Sequence, residues 1–127
     1  VQKMPTVDAD AIGISRQVEL FQKIAEISGT IPTVIDSNDV LKSPGNILGQ
    51  LCAALDIEFR EQEMLDWPTG RRSSDGIWAD HWYHNVDKST GFGQYTSTQV
   101  QLADEHLALA DSMQAHYRKM AVGRLRP

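Results

Sequence analysis

Apolar residues recur at helical spacing near the start of the chain and form one wide stripe. The pattern predicts an amphipathic helix over about residues 10–28, with a buried face. Asp8 and Asp10 are the N-cap candidates, and Gly29 followed by Pro32 forms the stop signal. The buried face of this helix is expected to consist of Ile14, Val18, Phe21 and Ala25, with Leu20, Ile24 and Ile27 beside them.

A short run of β-branched residues follows and predicts one buried parallel strand at 33–35. The polar cluster at 36–39 predicts a turn. Ser43 and Pro44 then fit the N-cap and first position of a second helix, because the fixed φ of proline suits that position. This helix is expected to end near residue 56.

A third, short helix is predicted over about 60–66, stopped by Pro68. From 67 to 97 no periodicity holds, and this stretch contains all three tryptophans. So long a loop is typical of a binding loop or lid. Thr98 and Gln101 form a capping-box pattern that predicts the start of a long final helix, and the tail from residue 124 is expected to fray.

The acidic balance of the chain restricts its partners. The net charge is −5, and residues 1–66 carry 5 basic and 11 acidic side chains, whereas 67–127 carry 7 and 6. Nucleic acid is disfavoured, and an anion site is expected in the second half. No apolar run is long enough to cross a bilayer, and the single cysteine cannot form an intrachain disulfide, so we expect a cytoplasmic protein without membrane contact.

One predicted strand cannot form a sheet, because its backbone groups need neighbours. The order helix, strand, helix predicts an α/β fold whose other strands lie elsewhere, in a second chain or in an N-terminal part. We therefore interpret residues 1–127 as a single, partial domain. Its exposed strand edge and helix face predict a homo-oligomer.

Two segments have the composition of anion sites. Lys88, Ser89, Thr90 and Gly91 combine a cation, two hydroxyls and a flexible backbone that lets N–H groups approach an anion. Arg72 follows another arginine in a Gly/Ser-rich loop and is also a candidate for binding phosphate or sulfate. The alternatives are that the first segment only forms a turn and that the second is a solvated loop.

The loop also contains a pair of histidines and a group of aromatic residues. His81 and His84 could offer imidazoles to a metal ion, although no third ligand is evident. No metal site is therefore predicted. Trp78, Trp82 and Tyr83 either pin the loop as a small core or present a platform to a ligand. The first of these interpretations predicts that loss of the Trp82 ring destabilises the protein by about 3–5 kcal/mol.

Several blocks resemble the C-terminal half of a bacterial P-loop sulfotransferase-like family. The most specific are Trp67-Pro68 and the Trp-Ala-x-His-Trp-Tyr block at 78–83. The segment 34–44 and the following apolar helix are similar to the strand, acidic turn and proline-started helix of that family. The resemblance extends over about residues 10–120.

This resemblance implies a three-layer α/β P-loop fold, of which the chain is the mostly helical C-terminal portion. It implies sulfuryl transfer from 3′-phosphoadenosine 5′-phosphosulfate to a small-molecule acceptor. In this family a segment before the last helix holds the 3′-phosphate, and Lys88, Ser89, Thr90 and Gly91 occupy the matching place. That segment here lacks the arginine and the Asp-Trp pair of the family. His81 and His84 are the candidates for the catalytic base.

Two further hypotheses stay open. The sequence contains no G-x-x-x-x-G-K-[ST] motif, so the chain alone is expected to be a poor catalyst. It is then either a segment that works with an N-terminal P-loop half or a non-catalytic, truncated α/β domain that acts through self-association or partner binding. A third hypothesis is a small enzyme that uses the His81 and His84 pair with a metal ion.

Overall fold

The protein is mostly helical. The computed structural model describes residues 8–97 and 99–127. Within these residues the α-helices are α1 (Ala9–Ile12), α2 (Ile14–Ser28), α3 (Ser37–Lys42), α4 (Pro44–Ala54), α5 (Glu61–Leu65), α6 (Ala79–Trp82) and α7 (Asp104–Met120), and a 3₁₀ turn follows at Ala121–Gly123. The helical character expected from the sequence is confirmed.

The predicted first helix is divided into α1 and α2 at Gly13. This glycine has a φ of 73°, in the left-handed region that interrupts an α-helix. The predicted ends of the whole segment are confirmed. The Asp8 carboxylate accepts a hydrogen bond from the Ala11 N–H at 2.8 Å, and the Gly29 N–H donates to the Ala25 carbonyl at 2.9 Å.

The described residues form two compact units, the first of which comprises 8–34, 97 and 99–124. In this unit α2 packs on α7, and Val18 is 4% exposed. The expected burial of Leu20, Ile24 and Ile27 beside this face is wrong, because they lie on the side of α2 away from Val18 and are exposed. The predicted strand is reduced to one isolated parallel bridge between Val34 and Arg124. The Val34 N–H donates to the Gly123 carbonyl at 2.8 Å, so Arg124 is held at a bridge and does not fray as expected.

The second unit comprises 35–96 and 125–127, and its core surrounds α4. Pro44 is the first residue of α4, as predicted, and Ile47 and Cys52 are fully buried. The turn expected at 36–39 is wrong, because α3 begins there. The Asp36 carboxylate caps α3 by accepting a hydrogen bond from the Asn38 N–H at 2.8 Å.

The last helix begins later than the capping-box pattern predicts. Thr98 lies outside the described residues, and α7 starts at Asp104 with Ala103 as its N-cap residue. Asp104 and Glu105 occupy the first turn, where carboxylates interact favourably with the positive end of the helix dipole. Favourable charge at the first turn gives a physical reason for a start at this position.

Among the described residues, none of the helices is both long enough and apolar enough to cross a lipid bilayer.

Candidate functional site

Backbone hydrogen bonds close the Trp-rich loop near its two ends. The Trp67 N–H donates to the Thr90 carbonyl at 3.0 Å, and the Gly70 N–H donates to the Asp87 carbonyl at 2.7 Å. An antiparallel bridge also joins Asp66 to the other side of this closure. The loop is therefore a closed structure with a defined base.

Trp67 anchors the segment that contains the predicted anion-binding residues. Its ring meets the Phe92 ring edge-on, with centroids 5.4 Å apart and planes at 81°. Its indole N–H donates to the Ser89 hydroxyl oxygen at 2.9 Å, and that hydroxyl donates to the Val86 carbonyl at 2.7 Å. The Ser89 proton is thus used within the loop.

A cleft of about 500 Å³ opens beside this closure. Its walls are Pro44, Leu65, Asp66 and the segment 88–92. The fold therefore places Lys88, Ser89, Thr90 and Gly91 along one cleft, and anion binding by them stays a prediction. Pro44, the first residue of α4, also lines this cleft.

Gly91 lets two backbone segments approach closely within the cleft wall. A Cβ atom at this position would lie 3.0 Å from the Leu65 carbonyl oxygen and 3.7 Å from the Asp66 carboxylate. The 3.0 Å distance to the Leu65 carbonyl oxygen is shorter than an ordinary van der Waals contact, so the local packing requires glycine at this position. Its flexibility is not required for a left-handed turn, since Gly91 is not among the residues with positive φ.

Asp66 is a cleft residue that the sequence analysis missed. Asp66 and Lys88 both line this cleft, so residues of both signs of charge border it. The signal for Asp66 in the sequence was its position directly before the Trp67-Pro68 block.

The arginines of the loop lie outside the lining of this cleft. Arg71 pairs with Asp80 at 2.5 Å, and this hydrogen bond with the neighbouring carboxylate raises the pKa of Arg71. Arg72 is exposed and lies in a turn. Its backbone N–H donates a hydrogen bond to the Asp75 carboxylate at 2.8 Å. Anion binding by Arg72 stays a prediction.

His81 lies in α6, and His84 lies just after it. Both side chains are exposed, and neither lines the cleft. Within the described part of the chain there is no group of three or more His, Cys, Asp or Glu residues placed to hold a metal ion. The role of the two histidines as base candidates stays a prediction.

The aromatic residues at the two ends of α6 are exposed to solvent. Trp78 is 68%, Trp82 is 74% and Tyr83 is 38% exposed, so they do not form the small core that was one of the two expectations. Trp67, which follows α5 and precedes Pro68, is the tryptophan that packs in this loop.

We expect Trp82→Ala to change the free energy of unfolding by less than about 0.5 kcal/mol, because exposed side chains contribute little to stability. Denaturant melts of the variant and the parent protein measure this difference. A loss of several kcal/mol would mean that the Trp82 ring is packed in solution.

Comparison with known proteins gives two curated relatives from Arabidopsis thaliana. The branched-chain-amino-acid aminotransferase-like protein 1 is 30% identical over 114 residues, and the branched-chain-amino-acid aminotransferase-like protein 2 is 31% identical over 114 residues. Each match covers 84% of this chain and 20% of the relative, so the chain spans about a fifth of their length. No solved structure matches the chain significantly.

The family comparison covers almost the entire chain. The model that describes the sulfotransferase domain matches residues 2–122. This range contains the closed loop, the cleft and most residues of both compact units. The protein therefore belongs to the sulfotransferase domain family.

Proposed function

We propose that this chain is the part of a sulfotransferase that holds the nucleotide end of a sulfuryl donor, 3′-phosphoadenosine 5′-phosphosulfate, in the cleft beside Trp67. The observation that supports this proposal is the gathering of Lys88, Thr90 and Gly91 on one cleft wall in a chain of this family. The other substrate is a small-molecule acceptor.

The chemistry of the cleft fits a phosphate group in part. Lys88 supplies a positive charge, and the Thr90 hydroxyl is a possible donor. Ser89 is a poor donor, since its proton is directed at the Val86 carbonyl. Asp66 repels an anion, so a bound phosphate is expected on the Lys88 side of the cleft.

When bound, the donor would supply the activated sulfuryl group, while this chain binds and orients its nucleotide end. Lys88 would neutralise charge on the phosphate at the nucleotide end, which holds the donor in position, and positioning is a large part of what a protein contributes to transfer reactions of this type. His81 and His84 stay our candidates for a base that takes the proton of the acceptor. Asp66 is a third candidate, because its carboxylate lines the cleft.

We propose that a phosphate-binding P-loop from outside the printed sequence completes the site. The printed residues contain no such motif, so the isolated chain should bind nucleotide weakly and catalyse poorly. The relatives carry aminotransferase-like names, but the shared segment is 20% of their length. We propose that this segment provides their sulfotransferase-like part and not their amino-group chemistry.

We expect Lys88→Ala to weaken binding of 3′,5′-diphosphoadenosine by the isolated chain about tenfold, because one charge-assisted contact is lost. Isothermal titration calorimetry at low ionic strength measures the affinity, and added salt should reduce it. Lys119→Ala, which removes the same charge from the last turn of α7, is the matched control and should leave the affinity unchanged.

Two results would overturn the proposal. One is equal affinity of the parent chain and Lys88→Ala, which would place the nucleotide away from the cleft. The other is an equal loss in Lys88→Ala and Lys119→Ala, which would show only a general charge effect.

A further inference from the structure

Helix α2 has a second apolar face, away from the one that packs on α7. Leu20 is 58% exposed, Ile24 is 43% exposed and Ile27 is 77% exposed. Their spacing of four and three residues puts them in one stripe along the helix. Val18, on the opposite side, is buried. The helix therefore has one face in the core and one uncovered stripe.

A row of alternating charges runs beside this stripe. Arg16, Glu19, Lys23 and Glu26 all lie within about 40–120° of Leu20 on the same side of the helix, taking about 100° per residue. Arg16 and Glu19 form an ion pair at 3.7 Å, which confirms that neighbouring members of the row face one another. All four side chains are exposed.

Two copies of this row are complementary in charge when the two helices run in opposite directions. When a second α2 runs antiparallel with the twofold axis near Phe21, Arg16 lies opposite Glu26 of the second copy and Glu19 lies opposite Lys23 of the second copy. Symmetry repeats both pairs, so every charge of the row meets an opposite charge. In a parallel twofold pair the two rows would lie on opposite sides of the interface, so these attractive pairs would be lost.

We propose that the uncovered face of α2 is the binding surface for a second copy of this chain, paired antiparallel. The stripe of Leu20, Ile24 and Ile27 supplies the apolar contact, and the row of charges sets the direction. This inference does not depend on the sulfuryl-transfer proposal, because none of these residues lines the nucleotide cleft.

The test uses two single charge reversals of the full chain. Glu19→Lys makes positions 19 and 23 both positive, and Lys23→Glu makes both negative. Each variant alone should dimerise at least about tenfold more weakly, since two pairs become repulsive. An equimolar mixture should recover dimers, because opposite charges then meet across the interface.

Sedimentation velocity over a concentration series measures the association, and circular dichroism checks that the helices are retained. The double variant Glu19→Lys/Lys23→Glu should dimerise like the parent chain. Lys119→Glu changes the net charge as much as Lys23→Glu does, but lies on α7, and should leave dimerisation unchanged.

A parent chain that stays monomeric over the whole series would overturn the proposal and would mean that another partner covers α2. Dimers that the single reversals do not weaken, or a mixture that does not recover them, would also overturn it. None of these results bears on nucleotide affinity, so the two proposals fail separately.

Discussion

Trp67→Ala should lower the free energy of unfolding by about 3 kcal/mol, near the lower end of the range for removing a packed aromatic side chain. The change removes the edge-on contact with Phe92 and the donor that reaches the Ser89 hydroxyl oxygen. It also leaves part of the cleft wall without support. Urea denaturation followed by circular dichroism measures the loss.

Trp67→Phe separates the two contributions of this side chain. It keeps an aromatic ring against Phe92 but removes the indole N–H, so about 1 kcal/mol of the loss should remain. Trp82→Ala is the matched control, because Trp82 lies in the same loop but is exposed to solvent. Equal losses for Trp67→Ala and Trp82→Ala would contradict the role of Trp67 as the anchor.

Gly123→Ala is expected to cost roughly 3 kcal/mol, from overpacking together with a lost hydrogen bond. A methyl group at this position would overlap the carbonyl oxygen of Pro32. Because that atom belongs to the backbone, the two chain segments must separate. The hydrogen bond from the Val34 N–H to the Gly123 carbonyl would then be strained.

Gly76→Ala provides the control, since a Cβ atom there meets no atom within 4 Å and its φ is not in the left-handed region. Thermal melts of both variants and the parent chain measure the difference, and Gly76→Ala should be close to neutral in them. A Gly123→Ala variant as stable as the parent chain would show that Pro32 and Gly123 do not approach closely in solution.

Local signals predicted the helix boundaries that depend on neighbouring residues. Asp8, Gly29 and Pro44 act through their own side chains or backbone preferences, and the structure confirms all three positions. The break at Gly13 was missed, because a glycine inside a helical pattern is usually tolerated. The predicted strand required a partner, and the structure provides only a single bridge from Arg124.

The residues that line the cleft could be selected from the sequence in part, for a similar reason, while their binding role stays a prediction. Lys88, Thr90 and Gly91 are consecutive or nearly so, and a short segment that lines a cleft can be recognised from its composition. Asp66 lies farther away in the sequence. It lines the same cleft because the backbone N–H of Trp67 donates to the Thr90 carbonyl and holds the two segments together. Contacts of that kind depend on tertiary packing, which spacing along the sequence does not encode.

The most direct measurement is amide chemical-shift mapping of the isotope-labelled chain during titration with 3′,5′-diphosphoadenosine. The largest and saturable changes are expected at the amides of residues 88–92 and at Asp66, with only small changes along α2. The same titration of Lys88→Ala should reach saturation at about tenfold higher nucleotide concentration. Shifts confined to the turn of Arg72 and Asp75, or no saturable shifts at all, would contradict nucleotide binding in the cleft beside Trp67.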